Sequence, residues 1–284
     1  MTDQPYLLFV FGLGYSAQQL ARRLIPQGWA VSGTVRSEAG AAKLRAQGIA
    51  AQVWAGDGTP DIPAGAHWLV TLPPDADGCP AAHVATYSEP SAASITYLST
   101  TGVYGDLNGG WVFEWSRVHP QADRARARVK AEMQWMDATD GAARLVRLPG
   151  IYGPGRSSLD RIRDGTARRI IKPGQVFSRI HVDDIASGLE ALMKRPDMHG
   201  VFHLCDDEPA PPQDVTAYAA DLLGVAPPPE IAFEEAELST MARSFYSDCK
   251  RVSNARAKAA LGWRPAYPTY REGLRAILAA EGGA

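Results

Sequence analysis

Cysteine is scarce in this chain. Cys79, Cys205 and Cys249 are three among 284 residues, odd in number and far apart, so they supply neither a disulfide framework nor a metal-ligand spacing. Buried or incidental thiols fit them better. An excess of one charge is lacking too. The 29 basic and 31 acidic residues leave a formal charge of −2, which argues against a nucleic-acid or membrane-surface partner. No apolar run approaches a membrane span, the first five residues are polar rather than a leader, and no internal repeat stands out. His199 and His203 lack partners at a ligand spacing, so no metal site is expected. A cytoplasmic protein that handles a small molecule is the expectation. Apolar content of 45% and charged content of 21% are ordinary, and the length allows one or two domains with a large core.

What is present starts at Tyr6. An apolar and aromatic run reaches Phe11 and stops at Gly12-Leu13-Gly14-Tyr15-Ser16-Ala17, where a helical pattern begins. Ala17, Leu20, Ala21 and Leu24 recur at i, i+3, i+4 and i+7, one face of an amphipathic helix. Strand, glycine turn and helix make the first unit of a dinucleotide-binding fold. Gly12 permits the turn, Gly14 lets a pyrophosphate approach the helix N-terminus, and Ala17 lets helix and strand pack closely. An ordinary strand-to-helix turn without a ligand is the alternative.

Further strands are expected at Trp29 to Val35, up to Val53, His67 to Leu72, Ser94 to Leu98 and Ala143 to Leu148. Helical stretches fall at 39–46 and 124–138, the second with Ala125, Val129, Met133 and Met136 on one face. Alternating strands and helices imply a parallel sheet. Where an NAD-binding fold carries an acid for the ribose 2′-OH, the second strand here ends in Arg36, with Thr34 and Ser37 beside it. A guanidinium fork suits a phosphate, so NADP(H) is expected over NAD(H). Asp57 would reach the adenine edge or serve only the turn.

Residues 97–105, Tyr-Leu-Ser-Thr100-Thr-Gly-Val-Tyr104-Gly, resemble the fifth-strand signature of the extended short-chain dehydrogenase/reductases, the NAD(P)-dependent epimerases and dehydratases. The resemblance continues through Arg147-Leu-Pro149-Gly-Ile-Tyr152-Gly-Pro-Gly-Arg156, Ile180-His181-Val-Asp183-Asp184 and Leu261-Gly262-Trp263. The spacing Gly-x-Gly-x-x-Ala departs from the commoner Gly-x-x-Gly-x-x-Gly and resembles the atypical branch. The implied fold is α/β, a doubly wound Rossmann-type parallel sheet with a smaller C-terminal substrate lobe. Residues 1–150, completed by 175–205, would form the nucleotide-binding domain, and 151–174 with 206–284 the lobe. The implied cofactor wall is Gly12 to Ala17, Arg36, Ser37, Asp57, Thr71, Leu72 and Pro149. Asp183 and Asp184, just before a helical stripe, suit N-capping and the helix dipole better than a metal.

The family's chemistry implies three side chains: a Ser or Thr hydroxyl, a Tyr acid or base, and a Lys four residues later that lowers the Tyr pKa. Thr100 matches the hydroxyl. Arg124 stands at the Tyr position and Arg128 at the Lys position; a slip of two would put Arg126 and Lys130 there instead. Arginine does not deprotonate in proteins, so it cannot be the base. Tyr104, Tyr152, His181 and Glu114 lie in or near segments that border the implied site, although structural roles fit them better: a packed aromatic for Tyr104, a hydrogen-bonding residue before a helix cap for His181, and a solvated acid for Glu114. Arg124 and Arg128 share a helix face and suit an anionic substrate. Tyr152, Arg156, His181 and Arg251 are the expected substrate contacts. Two functions follow: an epimerase/dehydratase-like oxidoreductase of a small polar carbonyl or alcohol, a nucleotide sugar included, or a non-catalytic NADP(H) sensor. Relatives pair through the helix bearing Arg126 and Lys130, whose like charge leaves monomer and homodimer both open.

Overall fold

The computed structural model describes residues 6–87 and 92–282; the polar start, residues 1–5, lies outside them. Strand and helix alternate first as β1 (Leu7–Phe11), α1 (Tyr15–Leu24), β2 (Ala30–Val35), α2 (Glu38–Arg45) and β3 (Ala50–Val53). Next come β4 (His67–Val70), α3 (Ala82–Tyr87), β5 (Ser94–Thr100), the short β6 (Trp111–Val112), α4 (Asp123–Ala138) and β7 (Arg144–Leu148). The chain then builds β8 (Gly150–Tyr152), α5 (Ser158–Arg163), β9 (Arg169–Ile171), β10 (Arg179–His181), α6 (Val182–Met193) and β11 (Gly200–His203). It ends in α7 (Pro212–Leu222), β12 (Glu230–Ala232), α8 (Thr240–Tyr246), β13 (Arg251–Val252), α9 (Ala255–Leu261) and α10 (Tyr270–Gly282).

Seven parallel strands form one sheet in the order β11-β7-β5-β4-β1-β2-β3. Strand order reverses between β1 and β4, which makes the switch point where such sheets bind ligands. The expected Rossmann-type α/β fold is therefore present. β4 and β7 are buried along their whole length, as central parallel strands covered on both faces must be. β1 and β2 approach closely because a Cβ on Gly33 would stand 2.3 Å from the Val10 carbonyl oxygen. Helix α1 lays Ala17, Leu20, Ala21 and Leu24 on the sheet and runs into a turn through Pro26 that closes on Gly28 at φ 85°. Those residues join α6 in one core layer. On the opposite face Trp68, Ala131 and Trp135 pack with Phe11. A third cluster ties Tyr152, Leu159, Val215, Leu274 and Ile277 together, joining α5, α7 and α10. There α10 seats only because residue 273 is glycine: a Cβ on it would lie 2.1 Å from the Tyr152 hydroxyl. No helix among the described residues is long and apolar enough to cross a membrane.

Two local expectations are corrected. The buried face of α4 is Ala125, Ala131, Glu132 and Trp135, whereas Met133 is 61% exposed. A search for apolar residues missed this stripe because its central member is an acid that is paired inside the protein. Asp183 and Asp184 do lie in the first turn of α6, but His181 is its cap, its Nδ1 accepting the Asp183 N–H at 3.2 Å. Asp184 is fully buried and instead accepts the N–H groups of Ala266 at 2.6 Å and Tyr267 at 3.1 Å. It clamps the segment leading into α10.

Candidate active site

The glycine turn is held from both sides. Gly12 has φ 91°, a backbone conformation that favours glycine, and a Cβ there would lie 2.8 Å from the Leu72 side chain. The Gly12 N–H donates to Thr34 Oγ1 at 3.0 Å, the Leu13 N–H to the Thr34 carbonyl at 2.9 Å, and the Thr71 hydroxyl to the Gly12 carbonyl. Thr34, beside Arg36, is thus part of the turn's scaffold. Gly14 caps α1 in extended backbone, with no side-chain cap and no acid in the first turn. Only the Gly12 carbonyl, at 4.0 Å, comes near a Cβ placed on it. The first N–H groups of α1, with Tyr15 and Ser16 at its start, therefore lack a negative partner from the protein. This open, uncapped cradle fits a pyrophosphate.

The remaining cofactor-wall residues surround that turn. Arg36 follows β2, is exposed, and has no hydrogen bond or ion pair among the described residues. Ser37 caps α2, its hydroxyl accepting the Gly40 N–H at 3.2 Å. Asp57 is exposed and uses its carbonyl to accept the Trp54 indole N–H at 2.9 Å. On the rim, the Tyr15 hydroxyl donates to the Pro154 carbonyl at 3.0 Å and Arg156 stacks 4.4 Å over the Tyr15 ring. Arg156 therefore stands against the nucleotide turn, and it does not line the cleft beyond β5 and β7.

A cleft of about 730 Å³ opens beyond the ends of β5 and β7 and is lined by Thr100, Arg124, Arg128 and Pro149. Thr100 Oγ1 accepts the Gly102 N–H at 3.1 Å, which fixes its rotamer where the strand ends. Arg128 Nη1 donates to the Leu98 carbonyl at 2.7 Å and the Tyr97 hydroxyl at 3.1 Å. Its charge is spent on the end of β5. Arg124 instead lies 4.1 Å over the Phe245 ring, bridging α4 to α8. The opposite wall is built by Arg161, Phe177, Arg179, Tyr246 and Lys250. Of these five, only Lys250 stands in a segment that the sequence singled out, the one that begins Lys250-Arg251 and whose counterpart in the resembled family closes the substrate lobe. The five come from α5, the approach to β10, β10 itself, α8 and the residue before β13, and only the tertiary fold joins them.

Several expected site residues are elsewhere. Tyr104 is 1% exposed and does not line the cleft. Its hydroxyl donates to the Phe113 carbonyl at 3.1 Å, meets His203 Nε2 at 2.6 Å and accepts from Arg147 Nη1 at 2.7 Å. Burial pushes its pKa up to about 12 and that of His203 down to about 4. Both are neutral near pH 7. Glu114 is buried rather than solvated and accepts the His203 N–H at 3.2 Å. Tyr152 and His181 pack edge to face at 5.2 Å beneath α10, out of the cleft. Burial raises the first and lowers the second. Arg251 donates to the Gly109 carbonyl and pins that loop; its neighbour Lys250 is the one in the cleft. Trp135 is core, and Trp111 and Trp115 are exposed.

No family model matches the chain. A functionally unknown conserved protein from Silicibacter pomeroyi has a solved structure that is 47% identical, covers 97% of this chain and 99% of its own, and superposes with a TM-score of 0.90. A Methylobacillus flagellatus protein assigned to the NAD-dependent epimerases/dehydratases is 25% identical over 98% of this chain and 99% of its own, with a TM-score of 0.70. Over nearly its whole length the chain is similar to the epimerase/dehydratase members of the extended short-chain dehydrogenase/reductases. A 3-diazoavenalumate denitrifying reductase of Streptomyces is 33% identical over 162 residues, or 53% of this chain; the match spans about half, 52%, of that relative. The nucleotide turn and the Thr100 strand are in place, while α4 brings Arg124 and Arg128 to the cleft and no Tyr or Lys.

Proposed function

We propose that this chain is an NADP(H)-dependent oxidoreductase, epimerase/dehydratase-like, acting on a small polar carbonyl or alcohol compound, nucleotide sugars among them. One observation carries the reading. The open glycine cradle and the cleft lie at the same edge of the sheet, beyond the ends of β1, β4, β5 and β7, where doubly wound sheets take ligands. Gly12 to Ala17 would hold the pyrophosphate, Arg36 and Ser37 the 2′ end, and Thr71, Leu72 and Pro149 the remaining wall. An exposed Arg36 with no acid paired to it favours a 2′-phosphate over a bare hydroxyl. When bound, the nicotinamide supplies or takes a hydride.

The chain's own groups do the rest. The Thr100 hydroxyl orients the substrate oxygen. Arg124, which cannot give up its proton, meets negative charge on the substrate instead. The Streptomyces relative is a reductase by name, which supports the reductive direction. A second reading, an NADP(H) sensor without turnover, rests on the absence of a Tyr at 124 and a Lys at 128.

Titration with NADPH and NADH, followed by nicotinamide fluorescence, tests the cofactor. NADPH should bind more tightly than NADH, and Arg36→Ala should erase that preference. Gly14→Asp should abolish binding of both without lowering the melting temperature, because residue 14 has φ −83° and open space beside it. Substrate-dependent NADPH oxidation across a panel of carbonyl compounds then sinks the sensor reading. NADPH binding with no response to any member of the panel sinks the enzyme reading.

A further inference from the structure

The cleft carries six basic side chains, Arg124, Arg128, Arg161, Arg168, Arg179 and Lys250, against one carboxylate, Asp248. Most of that charge is already engaged. Asp248 pairs with Lys250 at 3.1 Å, Arg128 serves β5, and Arg168 donates to the Glu237 carbonyl at 3.1 Å. Arg161 and Arg179 both line the cleft, and neither meets a carboxylate. The Arg161 side chain, from α5, has no hydrogen bond or ion pair among the described residues. Arg179, from β10, donates through Nη1 to the carbonyls of Phe177 at 2.8 Å and Ala210 at 3.0 Å, and touches no carboxylate.

The two are near enough that the Arg161 charge acts on Arg179, and both act on the Tyr246 phenol. Like charges facing one cavity oppose each other unless an anion joins them. The nearby carboxyl, Asp206, does not fill that role. It is 1% exposed with no hydrogen bond to either oxygen, and burial pushes its pKa up to about 8, so it is neutral at pH 7. Among its polar groups the same cleft presents apolar surface from Ile170, Phe177, Val215 and Phe245.

We propose that Arg161 and Arg179 form an oxyanion subsite, and that the substrate is a small molecule with a carboxylate or phosphate at one end and a flat apolar body packed on Phe177 and Phe245. The proposal rests on reading this cleft as the substrate site. Within the carbonyl and alcohol compounds it favours apolar-bodied anions over nucleotide sugars, with the reactive end left for Thr100. A guanidinium pair suits either anion, because both present oxygens in the plane of its N–H fork.

The test uses the NADPH-loaded protein and three probes of one shape: benzoate, phenyl phosphate and benzyl alcohol, titrated by calorimetry. One or both anions should bind and the alcohol should not. Benzoate alone identifies a carboxylate substrate, and phenyl phosphate alone a phosphate ester. Arg161→Gln and Arg179→Gln should each weaken anion binding about tenfold or more and leave the NADPH dissociation constant unchanged. Equal binding of benzyl alcohol and the anions overturns the proposal, as does unchanged anion affinity in the variants. Should Arg179→Gln fail to fold, Arg161→Gln decides, since its side chain is exposed. NADPH that fails to bind the wild type would overturn the cofactor reading instead, and anion titration of the unloaded protein would still decide the subsite.

Discussion

Arg147 and Arg179 are both strand arginines near the middle of the molecule, and they have opposite surroundings. Arg147, on β7, grips Glu132 with two bonds, Nε to Oε1 at 2.9 Å and Nη2 to Oε2 at 2.6 Å, and gives a third to Tyr104. Ser99 adds a 2.5 Å bond to the same carboxylate. Every charge in that knot is answered from within the chain, and the knot is sealed from solvent. Arg179 hydrogen-bonds only to carbonyls, and burial pushes the carboxyl near it, Asp206, up to about 8. One residue type thus serves two ends. Where the protein supplies the counter-charge, arginine locks β5, β7 and α4 together; where it withholds one, arginine waits for a ligand. The missing partner is the informative feature, since a buried charge left uncompensated in the final complex is costly.

The comparison breaks first at Glu132. Glu132→Leu strips Arg147 of its acid inside the protein and should cost about 3–5 kcal/mol of unfolding free energy, read by urea denaturation. A cost near zero would mean that the knot is not structural. The next test concerns Asp206, whose pKa is raised from 3.8 to about 8 in the fold. Between those values the folded state holds a proton that the unfolded state has lost, so stability falls as pH rises. The Asp206 contribution should be about 1 kcal/mol per pH unit between pH 7 and 8. Below pH 7 it is opposed by His67 and His203, depressed to about 4 in the fold, because the unfolded histidines still titrate near 6.5. Asp206→Asn should flatten the slope. Above pH 8 the ionised Asp206 faces Arg179, with Tyr152 and Asp207 near it, so anion binding should weaken there in the wild type. Phe245→Ala frees Arg124 from its ring stack at a half-exposed site. It should shift stability by about 0.5–1 kcal/mol, read by thermal melting. Smallest of all, Arg161→Gln should move the melting temperature by no more than about 2 °C. A large drop would mean that Arg161 is structural like Arg147, and the contrast would dissolve.

The nucleotide half was legible because its signals are local. Gly12, Gly14 and Ala17 fall within six residues, and their spacing carries the turn. The central strands were found within a few residues, although β5 runs two residues further, to Thr100, than its apolar run suggested. Thr100 and Pro149 reach the cleft as the fifth-strand and sixth-strand motifs imply. The substrate side was not legible for the opposite reason. Arg161, Arg179, Tyr246 and Lys250 come from separate segments, and no spacing between them survives in one dimension. Tyr104 and Glu114 misled in the same way: their partners, Arg147 and His203, lie tens of residues away, so burial could not be seen from their neighbours. Tyr152 and His181 sit in motif segments, but α10 covers them, and nothing before residue 270 announces that lid.

The glycine at 273 gives that last helix an unusual separation of making from docking. Alanine favours an isolated helix over glycine by about 1 kcal/mol, yet its single methyl would strike the Tyr152 hydroxyl. Substitution would thus strengthen the element and unseat it at once. A one-carbon change at residue 273 would press on the seat of the C-terminal helix and leave the sheet's glycine cradle, at the other end of the chain, untouched.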